Sequence, residues 1–166
     1  MTTTTTNRAY KFRFYPTPEQ EDLFSRTFGC VRLVYNKSLA ASAEMWRKEN
    51  KSVSIGALSK DLTAWKKQDD LAFLNEVSSV ALQQSQRNLL RAYQGFWSKR
   101  AGYPKFKKKH VSRDSFRLTR GAFRLRDGKL FVTKTSQPLD VVWSRELPKN
   151  ADPSSVTISR NRAGQW

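Results

Sequence analysis

Apolar and charged side chains alternate near the start of the chain. In residues 8–15, aromatic side chains occupy every second position from Tyr10, and the two positions between them carry positive charge. This period of two predicts a half-buried strand that ends at Pro16. A helix should follow, because Thr17 can cap its first turn and Gln20, three residues later, completes a capping box.

Helical periodicity replaces the alternation in the next part of the chain. The first predicted helix has one apolar stripe, formed by Phe24, Phe28, Val31, Tyr35, Leu39 and Met45 or Trp46. A second helix is predicted from a cap at Ser54 to about Lys67, followed by a turn over QDDLAF (68–73). A third helix is predicted from about Ser79 to Arg100, and its stripe is Leu82, Leu89, Tyr93 and Phe96 or Trp97.

From Ser115 onward the residues favour strands, in the segments SFRLT, AFRLR, KLFVT, LDVVW and SVTIS. Asp127-Gly128 is typical of a two-residue hairpin turn between the second and third of them. The last segment leads into a predicted turn at Asn161 to Gly164 and the start of a return strand. We therefore expect Trp166 on an unpaired edge and the chain to be a fragment of a longer protein.

This order of elements predicts an α+β fold, in which the first strand joins the later sheet and three or four helices form an inserted lobe. The corresponding division is a disordered tail at 1–7, the first strand at 8–15, the helical lobe at 16–101, and a basic loop with the remaining strands at 102–166.

Charge points to a polyanionic partner. The chain has 31 basic and 14 acidic residues, for a net charge of +17, and most of the excess lies after residue 76. The segment from Lys99 to Arg126 contains eleven basic residues and only one acidic residue. Four aromatic residues lie among them: Tyr103, Phe106, Phe116 and Phe123. Closely spaced cations suit phosphates and flat apolar rings suit bases, so this segment predicts nucleic-acid binding. A solvated basic loop before an ordinary sheet is the alternative.

Other chemistry has little support in the sequence. A single cysteine, Cys30, excludes an internal disulfide and, among apolar neighbours, is predicted to be a small buried residue. His110 is the only histidine and no cysteine cluster accompanies it, which argues against a zinc site. No long apolar run could span a bilayer, so a membrane partner is not expected. The acidic residues are scattered, without a cluster suited to two metal ions.

Four segments resemble the TnpB family, the OrfB-type proteins of bacterial insertion sequences. The first, YKFRFYPTPEQEDLFSRTFGCVRLVYNKSL (10–39), contains the pattern Gly-x-x-Arg-x-Val-Tyr-Asn at Gly29, Arg32, Val34, Tyr35 and Asn36. The others follow in order as FLNEVSSVALQQSQRNLLRAY (73–93), GYPKFKKK (102–109) and SFRL (115–118). Together they cover nearly the whole chain.

The resemblance implies a transposon-encoded RNA-guided DNA endonuclease, similar to the miniature type V CRISPR nucleases. In that family an oligonucleotide-binding-like β-barrel, the wedge, is interrupted by a helical recognition lobe whose first helices are also described as helix-turn-helix. The implied partners are a guide RNA transcribed near the transposon end and target DNA, in the cytoplasm close to the nucleoid. The Mg²⁺-binding carboxylates of the RuvC-like half would lie beyond Trp166, so no cofactor and no cleavage are expected for this chain.

The resemblance also assigns residues to the DNA motif beside the target. The matching positions lie at the starts of the second and last helices: Ile55, Ser59, Ser79 and Gln83. The amide of Gln83 could pair with adenine through two hydrogen bonds. The competing interpretations are a solvated helix glutamine for Gln83 and a plain N-cap for Ser79.

Backbone binding is expected from Lys105, Lys107, Lys108, Lys109, Arg117, Arg120, Arg124 and Arg126. For the arginines, a solvated strand face is the alternative. Tyr103 and Phe106 are expected to stack on bases, although Phe106 would serve equally well as a core anchor. Tyr35 and Asn36 are expected to pack and cap within the first helix rather than to contact a ligand.

Three functions remain open at this level. The chain could be the nucleic-acid-binding half of an RNA-guided nuclease, which would select DNA by pairing with its RNA. It could instead be a stand-alone DNA-binding protein, such as a repressor or a transposition accessory factor, which would bind a fixed duplex site without RNA. A structural RNA-binding protein of ribosomal type would ignore DNA.

Overall fold

A computed structural model of the protein describes residues 6–166, so most of the predicted N-terminal tail, residues 1–5, lies outside the described residues. The α+β class is confirmed. The elements are β1 (Arg13–Tyr15), α1 (Pro18–Glu49), α2 (Ile55–Lys66), a 3₁₀ helix (Asp69–Glu76), α3 (Ser79–Trp97), β2 (Asp114–Thr119), β3 (Phe123–Arg126), β4 (Lys129–Val132), β5 (Asp140–Val142) and β6 (Ser155–Arg160).

The first strand joins a late strand, as predicted. β1 pairs antiparallel with β5, and Phe14 lies opposite Val141. Phe14 is buried while its two neighbours in β1 are exposed, so the predicted alternation is confirmed. The ladder spans only three of the eight predicted residues, because β5 offers three partners and Pro16 stops β1.

α1 is one continuous helix of 32 residues with the predicted capping box. Thr17 Oγ1 accepts from the Gln20 N–H at 3.2 Å, and Gln20 Oε1 accepts from the Thr17 N–H at 3.1 Å. The Gln20 amide also donates to the carbonyls of Gln137 and Pro138, which ties the start of α1 to the approach to β5. The fully buried stripe ends at Ser42. Of the two residues predicted as alternatives for its last position, Met45 is half-buried, whereas Trp46 is 57% exposed.

The segment predicted as a turn after α2 is a 3₁₀ helix instead. Leu71 and Leu74 are both buried in it. Side chains three residues apart eclipse one another in a 3₁₀ helix, so this conformation directs both leucines into the core. α3 ends at Trp97, three residues before the predicted end, because Lys99 adopts a left-handed conformation with φ of 58°.

The strands form three two-stranded antiparallel ladders: β1–β5, β2–β6 and β3–β4. A single bridge between Leu130 and Leu139 connects β4 to the residues before β5. The predicted turn joins β3 and β4, with positive φ angles at Asp127 and Gly128 as a type I′ turn requires. Across the described residues, the ladders do not close into a barrel.

The main core is shared by helices and strands. Phe24 and Phe28 of α1, Leu82 of α3, and Phe116 and Ile158 of the β2–β6 ladder belong to one buried cluster. A second, smaller cluster lies between the helices and consists of Tyr35, Leu39, Leu58, Leu89 and Tyr93. In residues 6–166 no helix has both the length and the apolar character needed to cross a bilayer.

Trp166 does not lie on an exposed edge, and that prediction is wrong. The predicted turn after Asn161 is confirmed: the Asn161 N–H donates to the Gln165 carbonyl at 2.9 Å, and Gly164 has φ of 76°. The turn directs the Trp166 ring back onto Phe28, with ring centroids 5.6 Å apart. The indole thereby covers the aromatic end of the main core.

Candidate nucleic-acid interface

The segment between α3 and β2, residues 99–113, is here called the basic loop. A single side chain of α1 holds its middle. Asn36 Nδ2 donates to the Lys107 carbonyl at 2.9 Å, and the Lys107 N–H donates to Asn36 Oδ1 at 2.8 Å. The expectation that Asn36 caps within its own helix is therefore wrong, whereas the packing expected for Tyr35 is confirmed by its burial.

Lys107 differs from its three neighbouring lysines. Its ammonium nitrogen lies 4.3 Å from the centre of the Tyr35 ring. Burial, and secondly the positive charge of Arg32, lower the pKa of Lys107, while the ring face favours the charged form. By contrast Lys105, Lys108 and Lys109 are exposed to solvent. Three of the four predicted lysines are thus free to meet phosphate.

The end of the basic loop is fixed by charge. Asp114 Oδ2 lies 3.0 Å from a guanidinium nitrogen of Arg160, and Asp114 Oδ1 lies 3.7 Å from one of Arg32. Arg160 also donates to Ser25 Oγ at 3.2 Å and lies 5.1 Å from the Trp166 ring. Because two arginines neutralise Asp114, the single acid of the basic segment does not offset the charge of the loop.

The two predicted stacking residues have different surroundings. The Tyr103 hydroxyl lies 3.1 Å from that of Tyr93, and the edge of its ring meets Phe96. Tyr103 is still 49% exposed. Phe106 is 58% exposed and belongs to neither core cluster, so the core-anchor interpretation of Phe106 is wrong. An exposed phenyl ring within a run of lysines is suited to stacking on a base.

Three of the four predicted arginines lie on two different ladders, and Arg120 lies in the turn between β2 and β3. Arg117 lies on the face of β2 opposite the buried Phe116 and pairs in register with Thr157. Arg124 lies across from Phe131, with its guanidinium 5.3 Å from that ring. Arg120 and Arg126 make ion pairs with exposed acids, Asp152 and Asp127 respectively. Exposed ion pairs contribute little free energy, so both arginines can exchange these partners for phosphate.

The four residues predicted to read DNA are not gathered at one point. Lys66 Nζ donates to Ser79 Oγ, and the Gln86 amide donates to the Leu58 carbonyl, so α2 and α3 run antiparallel. Ile55 therefore lies about 16 Å along α2 from the end that meets Ser79, given a rise of ~1.5 Å per residue. Ser59 and Gln83 are exposed between these ends.

The N-cap of α3 is Ser78, and Ser79 is the first helical residue. The plain N-cap interpretation of Ser79 is therefore wrong. Burial, together with the charge of Lys134, lowers the pKa of Lys66, the lysine that contacts the Ser79 hydroxyl.

An open groove of about 1060 Å³ continues from the end of the basic loop. Its walls come from Glu21 and from residues 11–13, 110–114, 159–162 and 164–166. The sequence did not predict that five cationic residues of the groove lie together: Lys11, Arg13, Arg113, Arg160 and Arg162. Four of them come from the two ends of the chain and Arg113 comes from the basic loop, so no local pattern could have indicated the groove. The alternation at Lys11 and Arg13 and the turn residue Arg162 were the available signals.

Other reactive groups do not add to this interface. Cys30 is buried, as predicted, and burial raises the pKa of its thiol, which keeps the sulfur protonated at neutral pH. Within residues 6–166, no group of three His, Cys, Asp or Glu side chains is placed to hold a metal ion.

Known proteins resemble this chain along most of its length. Residues 1–51 match the family HTH_OrfB_IS605, described as a helix-turn-helix domain. In the structure the described part of this region contains β1 and the single helix α1. A protein of Streptomyces pristinaespiralis named "Putative RNA-guided DNA endonuclease" is 54% identical over 159 residues, which is 96% of this chain. A protein of Escherichia coli strain K12 with the same name and the suffix InsQ is 37% identical over 163 residues.

The chain spans 40% and 39% of the length of these two relatives. A third relative, the virulence protein VsdF of Salmonella dublin, is 35% identical over 112 residues. These make up 62% of this chain and 94% of that protein.

Proposed function

We propose a nucleic-acid-binding function for this chain, which belongs to the TnpB/OrfB-type family and matches the N-terminal part of its relatives. In this proposal the chain binds the guide RNA and the target DNA of an RNA-guided DNA endonuclease. The observation that supports this function best is the basic loop, which presents three exposed lysines and the exposed ring of Phe106 on a backbone fixed at Lys107. Adjacent cations neutralise a phosphate backbone, and an exposed aromatic ring accepts any base by stacking.

Each part of the chain has a proposed role. The strands at 8–15 and 102–166 act as the wedge, with the character of an oligonucleotide-binding barrel, and hold the guide RNA. The helices at 16–101 form the recognition lobe and read the DNA motif beside the target, through residues that include Gln83. Mg²⁺ and the cleavage chemistry belong to the remainder of the parent protein. The proposed partners place the protein in the cytoplasm, close to the nucleoid.

The groove extends the proposed binding surface. It starts where the basic loop ends, and its cations outnumber its two acids, Glu21 and Asp114. Since Asp114 is already paired with Arg32 and Arg160, the field in the groove is positive. A nucleic-acid backbone bound to the basic loop could therefore continue along a positively charged surface that includes Arg113 and Arg162.

Binding through the loop is tested by changing Lys105, Lys108 and Lys109 to Ala. Each phosphate contact contributes about 0.7–0.9 to the slope of log K against log salt, so the triple variant should bind an RNA hairpin more weakly and show a slope reduced by up to ~2.5. Filter binding over a salt series measures both quantities. The control changes Lys48, Lys51 and Lys149, which are also exposed but lie outside the basic loop, and should leave the slope unchanged. A triple loop variant with the wild-type slope would show that the loop does not contact nucleic acid.

One observation favours a second function, that of a stand-alone DNA-binding protein. The Salmonella dublin relative is matched over 94% of its own length by 62% of this chain, so a relative exists that consists almost entirely of part of this region. A stand-alone binder would select a fixed duplex sequence in the absence of RNA, whereas a guide-dependent binder would require complementary DNA. Selection from random duplexes with and without added RNA distinguishes the two functions.

A further inference from the structure

We propose that Asn36 is a positioning residue for nucleic-acid binding, acting by holding the basic loop in its binding conformation. This inference rests on the proposed function of the loop. Its basis is the reciprocal pair of hydrogen bonds between the Asn36 amide and the Lys107 peptide, at 2.8 and 2.9 Å, across 71 residues of sequence.

The middle of the loop has few other hydrogen bonds. Within the described residues, the hydrogen bonds of positions 104–112 other than those to Asn36 are local: the N–H groups of Val111 and Ser112 donate to the Lys108 carbonyl, and the Lys108 N–H donates to Ser112 Oγ. These bonds close a turn and do not attach it to the helices. The peptide of Lys107 is therefore the point at which hydrogen bonds connect the lysine run to the body of the protein.

A side-chain amide is well suited to this task, because it offers one donor and one acceptor in the same plane. It can satisfy both polar groups of one residue in the way that a neighbouring strand would. Ala would satisfy neither group. The Tyr35 ring, next to Asn36 in α1, receives the Lys107 side chain at the same time. Backbone and side chain of Lys107 are thus both turned toward α1.

This arrangement separates Lys107 from its neighbours. Lys107 lies against Tyr35 of α1, whereas Phe106 and Lys108 on either side of it are both exposed to solvent. A second attachment, between Arg32 and Asp114, lies four residues earlier on α1 and therefore on the same face of the helix as Asn36. α1 thus carries the loop at two points, one in its middle and one at its end.

Fixing the loop in advance increases affinity, because less conformational entropy is lost when the ligand binds. If the loop were released, only a fraction of molecules would have the binding conformation, and the apparent Kd would rise in inverse proportion to that fraction. The number of phosphate contacts in the complex would not change. The slope of log K against log salt should therefore stay constant, while log K falls by the same amount at every salt concentration. Removal of lysines should instead reduce the slope.

The test compares Asn36→Ala with Asn75→Ala in the full chain. Asn75 is a matched control, because its amide also donates twice to backbone carbonyls, those of Lys66 and Ala72, but away from the loop. With a fluorescently labelled RNA hairpin as the probe, Asn36→Ala should weaken binding about tenfold with an unchanged salt slope. Asn75→Ala should bind like the wild type. Hydrogen exchange should accelerate at the Lys107 amide in Asn36→Ala, and thermal melting reports whether the rest of the fold is intact.

The possible outcomes separate this inference from the proposed function. Wild-type affinity for Asn36→Ala, together with weakened binding by the triple lysine variant, overturns the positioning role alone. Wild-type affinity and slope for the triple lysine variant overturn both. A flattened slope for Asn36→Ala would show that it removes phosphate contacts rather than shifting a loop equilibrium, which also contradicts positioning. Unchanged exchange at Lys107 would show that Asn36 does not hold the loop.

Discussion

At the scale of single residues, neighbours in one charged run have different roles. Lys107 has its ammonium on an aromatic ring and its peptide bonded to Asn36, whereas Lys108 beside it is exposed. Both would count equally as phosphate-binding lysines in the sequence. The difference comes from contacts with α1, which supplies both the Tyr35 ring and the Asn36 amide, the latter 71 residues earlier in the sequence.

Phe106 gives the first prediction at this scale. Phe106→Ala should weaken binding of a single-stranded RNA by about 1–3 kcal/mol, the usual contribution of one stacked base. The free energy of unfolding of the Phe106→Ala variant should differ from that of the wild type by less than about 0.5 kcal/mol, as is usual for exposed positions. Fluorescence anisotropy and thermal melting measure the two effects.

Phe73 is the matched control for Phe106, since it is also a phenylalanine at the surface, 42% exposed, and it lies outside both the basic loop and the groove. Phe73→Ala should leave the affinity for single-stranded RNA unchanged. Equal losses in both variants would indicate a general effect of removing exposed apolar surface rather than stacking.

At the scale of elements, short sequence patterns specified some elements, whereas contacts with the core specified others. The capping box at Thr17 and the turn at Asp127-Gly128 are short-range patterns, and both appear as predicted. The 3₁₀ helix was missed because its polar residues suggested a turn, while its two leucines needed the core to favour a helical conformation.

The hairpin that carries Trp166 gives a prediction at this scale. Full burial of a Trp side chain typically contributes about 3–5 kcal/mol, and Trp166 is only partly buried against the Phe14, Phe24 and Phe28 rings. We therefore expect Trp166→Ala to lower the free energy of unfolding by about 2 kcal/mol in urea denaturation. Trp46→Ala, at a position 57% exposed, should have almost no effect. Equal stability of the two variants would mean that the terminal hairpin does not contribute to the core.

At the scale of the whole molecule, a buried thiol and two buried phenol groups determine how stability changes at alkaline pH. Burial raises the pKa of Cys30, of Tyr35 and, most strongly, of Tyr93, where the hydrogen bond between the Tyr93 and Tyr103 hydroxyls adds to the effect. A raised pKa in the folded state contributes stability that is complete below the unfolded value, 10.0 for Tyr93, and is lost as pH rises through the folded value. Lys66 and Lys107, whose pKa values are lowered, act in the opposite direction.

Because the shift of Tyr93 is the largest of these, we expect the free energy of unfolding to fall between about pH 9 and about pH 11. Urea titrations at a series of pH values measure this. Tyr93→Phe removes the ionisable group and should make the fall shallower, although the variant also loses the hydroxyl contact with Tyr103. A wild-type protein whose stability rises steadily over this range would show that the two lysines dominate.

Catalysis also belongs to this scale. Two-metal cleavage of a phosphodiester needs clustered carboxylates, and the acidic residues of this chain are scattered along the sequence. Residues 1–166, with Mg²⁺, guide RNA and matched DNA, should therefore bind the DNA without cutting it. A gel assay with nuclease-free protein measures both. Mg²⁺-dependent cleavage that co-purifies with the chain through further chromatography would contradict this.

The sequence by itself determined the α-helices and strands, the first strand's pairing with a later one, the basic segment and the family, because these depend on periodicity, turn chemistry, composition and local motifs. Tertiary structure alone decided that Asn36 holds Lys107, that Trp166 covers the core, and that cations from both chain ends line one groove. Each of these joins residues far apart in sequence. Such contacts arise from close packing of whole elements, to which no local pattern has access.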